Sequence, residues 1–175
     1  MMKIKLTFYF LILFVLKGYT QDEDFTSKYI LTKMVETTGH NVILTPTYKY
    51  NFSKFTFDKE QALYYKFSYR KLNNIGATPE SISYSFKPHL ITSIENFPVI
   101  KEGSPVGVIR LKFTGKTVFL RIDYDWGQSP YISSENYIDI PYLSSDPSNA
   151  AKLTKAIERL IEIYKAIEKA DPFGS

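Results

Sequence analysis

Apolar residues recur along this chain at two different spacings, and the switch between them divides it. Residues 24–38 place Phe25, Ile30, Leu31, Met34 and Val35 at three- and four-residue steps on one helical face, with Gly39 as a stop. From residue 41 to about 142 the period falls to two, the signature of strands with one buried face. Tyr48, Tyr50 and Phe52 alternate with polar partners, and Phe55 and Phe57 continue in the opposite phase. An unbroken strand cannot change phase, so a bulge or bend is expected near Ser53-Lys54. Leu63, Tyr65, Phe67 and Tyr69 form the next apolar face, and Ile82, Tyr84 and Phe86 alternate with three serines. Residues 73–79 and 97–105, rich in Asn, Gly and Pro, read as loops. Short strands are expected at 90–94 and 136–141.

Thr114-Gly115-Lys116-Thr117 lies between two alternating runs, with glycine where a type II′ turn requires it. A two-residue hairpin there sets Phe113 opposite Val118, Leu111 opposite Leu120 and Ile109 opposite Ile122. Every such pair is apolar on both sides. The same register sets Arg110 opposite Arg121.

The final segment returns to helical spacing. Asp146 or Ser145 is placed to cap it, and Pro147 suits its first turn. Leu153, Ile157, Leu160, Tyr164 and Ile167 then form one stripe, until Asp171-Pro172 ends the helix near residue 170. About two heptads are too few for a stable coiled coil, so this amphipathic helix is expected to cover the sheet, leaving the chain monomeric or weakly dimeric through it.

The first twenty residues belong to neither pattern. A basic opening with Lys3 and Lys5 precedes the uncharged run 6–16, and the segment ends in Gly18-Tyr19-Thr20. This is the layout of a secretory signal peptide cleaved after Thr20. Eleven apolar residues reach about 16 Å as a helix, roughly half of a ~30 Å bilayer core. The expectation is therefore a signal peptide at 1–20, a single domain at 21–175 and no transmembrane segment after cleavage. The product would be secreted or periplasmic.

Removing the leader changes the charge reading. Three of the 22 basic residues lie in it and none of the 18 acidic ones, so the remainder is 19 against 18. Net charge then offers no reason to expect a nucleic-acid partner. The absence of cysteine excludes disulfides, thiol nucleophiles and zinc–thiolate sites.

Little in the chain announces chemistry. His40 and His89 stand in no metal-ligand spacing, and no GxSxG, phosphate-loop or dinucleotide fingerprint is present. No cofactor is implied. Asp123 and Asp125 share one side of a strand, as acid/base pairs often do; with a histidine they would make a small hydrolase-like site. The facing guanidiniums of Arg110 and Arg121, with Lys112 on the same outward face, are either neutralised by Asp123 or Asp139 or await a carboxylate or phosphate. Trp126 and Tyr131, in a Gly/Pro-containing loop, complete the candidate ligand-binding set. The aromatic interior also fits a carrier of an apolar ligand, with the C-terminal helix as its lid.

Residues 81–170, with SISYSFKPHLITSIENF, the 109–124 segment and the capped helix LTKAIERLIEIYKAIEKA, resemble the pleckstrin-homology-like fold. The whole chain is similar to small exported bacterial proteins of unknown function that join a leader to such a domain. That resemblance implies a bent antiparallel sheet or partial barrel closed by a helix. It brings no phosphoinositide site, since no matching basic loop is present. The reading is a single α+β domain with an N-terminal helix, about seven antiparallel strands and a capping C-terminal helix. The expected role is a non-catalytic binding or interaction module for an unknown protein or a small anionic ligand.

Overall fold

The computed structural model describes residues 22–43, 49–61, 63–73, 80–97, 104–125 and 127–170. The expected signal peptide (residues 1–20), Trp126 and most of both expected loops lie outside them. Helix α1 (residues 22–35) precedes nine strands among the described residues. These are β1 (Asn41–Ile43), β2 (Lys49–Gln61), β3 (Tyr64–Asn73), β4 (Glu80–Phe86), β5 (Ile91–Phe97), β6 (Val106–Phe113), β7 (Val118–Tyr124), β8 (Tyr131–Glu135) and β9 (Tyr137–Leu143). Helix α2 (Ser148–Ala170) ends the fold. The count exceeds the seven expected because β1 has only three residues and β8 is a polar edge strand. An edge strand needs backbone pairing on one side only, so no apolar alternation advertises it.

All pairings are antiparallel. Strands β1-β2-β3-β4-β7-β8 form a strongly curled half-barrel, the large sheet, and β5-β6-β9 form the small sheet. The hairpin expected at Thr114–Thr117 is overturned, since β6 and β7 belong to different sheets and do not pair. Residues 114–117 are instead a corner. Both flanking strands pair with the same antiparallel neighbour, residues 80–97: Ser85 lies opposite Phe119, and Ile91, six residues on, lies opposite Phe113, six residues back. One long strand pair thus bends from the large sheet into the small one, aided by the Pro88–Leu90 3-10 turn. On the other side the β8–β9 segment turns the same corner at Asn136, whose carbonyl accepts Phe113 N–H at 2.9 Å. Against β8–β9, where Glu135 faces Val118 and Asn136 already meets Phe113, residues 114–117 are four extra residues; they are exposed, with Gly115 at φ +65°.

Arg110 therefore does not face Arg121. It lies between Glu95 and Asp139, while Arg121 lies between Ser83 and Ile132. The alternative that Asp139 neutralises Arg110 is what the fold adopts.

The bulge in β2 falls where the phase change requires it. Register slips between Ser53 and Thr56, Lys54 adopts φ +53°, and Phe52, Phe55 and Phe57 are all buried. Phe57, Tyr65, Phe67 and Phe86 continue this aromatic wall inside the curl, with ring centroids 5.0–6.4 Å apart where they touch.

Helix α2 buries Leu153, Ile157, Leu160, Ile163 and Tyr164 against one continuous core. Its N-terminus is capped by Asp146, whose carboxylate accepts the Ser148 N–H at 2.8 Å and hydroxyl at 2.7 Å. Helix α1 buries Ile30 and Met34 as expected, but Phe25 and Val35 face solvent, while Glu23, Thr26 and Ser27 turn inward, as does Thr37 in the turn that follows. The rotation follows Glu23. Its carboxylate accepts the Tyr164 hydroxyl at 2.7 Å and the Tyr65 hydroxyl at 3.4 Å, with Lys59 Nζ at 3.3 Å. Ser27 bonds Tyr65 beside it. A buried carboxylate needs such donors, and they outweigh the exposure of Phe25 and Val35.

Candidate functional site

The aromatic rings that continue past the packed core form one wall of a cleft. Tyr50 and Phe52 on β2, Tyr69 on β3 and Tyr84 on β4 supply the large-sheet side. Phe97 on β5, Val108 and Arg110 on β6, and Tyr137 and Asp139 on β9 supply the small-sheet side. The cleft holds about 320 Å³, at the lower end of small-ligand sites.

Antiparallel register builds its charged centre. Arg110 and Asp139 are direct cross-strand neighbours on the face opposite Ile109, Leu111 and Ile138. The guanidinium donates through Nε to one carboxylate oxygen at 2.7 Å and through Nη2 to the other at 2.8 Å. Both side chains are about one-third exposed, at 31% and 34%, so the pair sits where the cleft meets solvent. The guanidinium carbon lies 4.3 Å from the Tyr137 ring centre and 5.2 Å from that of Phe97, within reach of cation–π attraction. Asp139 holds the arginine above its already high ordinary pKa, so the cation persists throughout the working range.

The phenols deeper in the cleft are kept neutral. Burial pushes Tyr69 well above the usual tyrosine range, reinforced by Tyr84. Burial likewise pushes Tyr84 up to about 12, partly offset by its hydrogen bond with Tyr69. At neutral pH the cleft therefore offers ring faces, neutral hydroxyls and one fixed ion pair.

The sequence-derived site residues are dispersed. Arg110 and Lys112 share a face of β6, where Lys112 Nζ contacts Glu95 at 2.5 Å. Arg121 lies on the outer face of the large sheet and grips Asp123 at 2.8–3.0 Å. Tyr131 begins edge strand β8, about half exposed. Trp126 falls outside the described residues. The carboxylates considered for catalysis are engaged by arginines, Asp123 by Arg121 and Asp125 by Arg70. Four cleft aromatics, Tyr50, Phe52, Tyr69 and Tyr84, carry the core-facing phase of their strands, so alternation reads them as core. Phe97 and Tyr137 sit at strand ends, where alternation is silent.

His89 takes a different role. Its side chain is buried where the 3-10 turn meets α2, with Nε2 3.3 Å from Glu168 and Nδ1 lacking a partner among the described residues. Burial pulls its pKa below the ordinary value of 6.5, against the attraction of Glu168 and with help from Lys87 and Lys165. The unfolded chain thus binds the proton more readily. Stability is full above about pH 6.5 and declines as the pH falls toward the depressed folded value. Urea midpoints between pH 7.5 and 5 should fall in the parent and flatten in His89→Phe; an equal slope in both would remove His89 as the cause.

Among the described residues no helix is long and apolar enough to cross a membrane, and no group of three or more His, Asp or Glu residues could hold a metal ion. In comparisons with known proteins, the chain matches no family model, no curated protein and no solved structure.

Proposed function

We propose that this chain is an exported, non-catalytic binding module, and that its cleft takes a small ligand with a flat apolar face and a polar edge. One observation carries this reading: a guanidinium–carboxylate pair held between two exposed rings at the opening of an aromatic cleft. Such rings provide stacking area at little entropic cost, since each has only two side-chain torsions. Arg110 and Asp139 supply donors and acceptors already held in one geometry, so a polar edge meets them without reorganisation.

Export rests on the basic, apolar and small-residue order of residues 1–20. The likeness to pleckstrin-homology-like domains draws support from two antiparallel sheets packed with a C-terminal helix. The carrier reading, an apolar ligand held under the C-terminal helix as a lid, is not favoured, since α2 packs on the core and no α2 residue lines the cleft.

Ligand-observed NMR against a panel of methyl pyranosides and small aromatic carboxylates tests the proposal. A hit should lose at least about tenfold in affinity, ~1.4 kcal/mol, in both Arg110→Ala and Tyr137→Ala, and should be recovered unchanged after incubation. Full affinity in both variants, or turnover of the hit, would count against it.

A further inference from the structure

We propose that the outer face of the large sheet carries a second site, for a tetrahedral oxyanion such as a phosphate or sulfate group. It lies in the serine-floored trough between Lys54, Lys66, Arg70 and Arg121. The trough opens on the outer face, back to back with the aromatic cleft on the inner face of the same strands, Tyr69 belonging to the lining of both, and it holds about 490 Å³.

Its floor is built from residues that strand packing does not call for. Strand β4 turns Ile82, Tyr84 and Phe86 inward and sends Ser81, Ser83 and Ser85 outward. Strands favour β-branched and aromatic residues, and the outer face of a curled sheet has room for them. Register continues the hydroxyl row across the sheet: Thr56 lies beside Ser68, Ser68 beside Ser83, and Ser83 beside Arg121. Small side chains at the centre and long basic ones around it leave a polar depression, in which the Ser68 hydroxyl bonds that of Thr56 at 2.7 Å and Ser83 donates to the Arg121 carbonyl only at a long 3.5 Å.

The walls carry a surplus of positive charge. Four cations line the trough and three carboxylates reach them, Asp123 at Arg121, Asp125 at Arg70 and Glu60 at Lys66, which leaves one positive charge in excess. Arg70 reaches Asp125 through Nη2, but its Nε is buried without a partner among the described residues. Lys66 is 3.9 Å from Glu60. Among the described residues Lys54 has no carboxylate within ion-pair distance. Its backbone is also informative: a bulge residue at φ +53° is ordinarily glycine or asparagine, yet here it is a lysine whose side chain lines the trough. Guanidinium, ammonium and hydroxyl donors converging on one depression suit an oxyanion, which accepts several charge-assisted hydrogen bonds at once.

The test is amide NMR of the leaderless chain (residues 21–175), titrated with sodium phosphate and sodium sulfate while chloride is adjusted to constant ionic strength. Saturable shifts are expected at Ser68, Arg70, Ser81 and Ser83. Lys54→Gln should weaken binding roughly fivefold. Ser83→Val, which fills the floor and suits a strand better, should weaken it at least about tenfold without lowering thermal stability. Shifts no larger than those from chloride, or binding unchanged in both variants, would overturn the site. With phosphate bound, retention on phosphatidylglycerol vesicles that is lost in Ser83→Val assigns the group to a lipid headgroup. No retention assigns it to a soluble ester, and either result supports the oxyanion site.

Discussion

Replacing Tyr164 by alanine is expected to destabilise the protein by about 5 kcal/mol or more, a large part of the ~5–15 kcal/mol available to a domain of this kind. The side chain is fully buried and packs edge-on against Tyr65 at 5.5 Å. Truncating such an aromatic costs about 3–5 kcal/mol through lost transfer energy and the cavity left behind. Its hydroxyl is also the nearest donor to Glu23, at 2.7 Å, and a buried carboxylate deprived of a hydrogen bond adds about 1–3 kcal/mol. Tyr164→Phe separates the two contributions: it keeps the ring and should cost only the second. Urea unfolding measures both variants. Because Glu23 belongs to α1 and Tyr164 to α2, the phenylalanine variant should also lose hydrogen-exchange protection in residues 22–35. Parent-like protection there would mean that Glu23 does not hold α1 in place.

Phe67→Ala is the second large effect, expected at about 3–5 kcal/mol. Phe67 is fully buried at the middle of the aromatic wall, 6.4 Å from Phe57, 5.3 Å from Tyr69 and stacked on Tyr84 at 5.8 Å. The last two rings line the cleft, so its loss should act twice. It should lower stability, and it should blunt binding in the cleft even at temperatures where the variant is folded. Phe67→Leu should cost less, about 1–2 kcal/mol, since most of the volume remains. A folded Phe67→Ala variant with parental affinity would show that Phe67 does not support the cleft.

What the sequence made legible, and what it hid, follows from the range of the interactions involved. Helix α2 was readable because its stripe is local, and the β2 bulge because a phase change within one strand admits no other solution. The partnership of Asp139 with Arg110 was also within reach as one of two alternatives. The corner at 114–117 was not. Phe113, Leu111 and Ile109 are core residues, and so are Val118 and Leu120, so their apolar matching fits a bend between sheets as well as a hairpin. Gly115 serves either geometry with its positive φ. The deciding information is the pairing of 80–97 with 106–124, which no local pattern contains. The inward turn of α1 was hidden for the same reason, since the donors to Glu23 come from residues 59, 65 and 164. The cleft is not legible in the sequence because alternation gives a ring's face but not whether another layer covers it. Tyr65 is covered by α2, while Tyr69 and Tyr84 adjoin a gap.

If the aromatic cleft, with its Arg110–Asp139 pair, is a binding site and not merely a seam between sheets, it must hold a ligand in a defined pose. The most direct measurement is the crystal structure of residues 21–175 soaked with a panel hit from ligand-observed NMR. The account predicts the ligand's flat face against Tyr137 or Phe97 and its polar edge within hydrogen-bonding distance of Arg110 or Asp139. A ligand bound elsewhere, with the cleft closed by its own side chains, would contradict it.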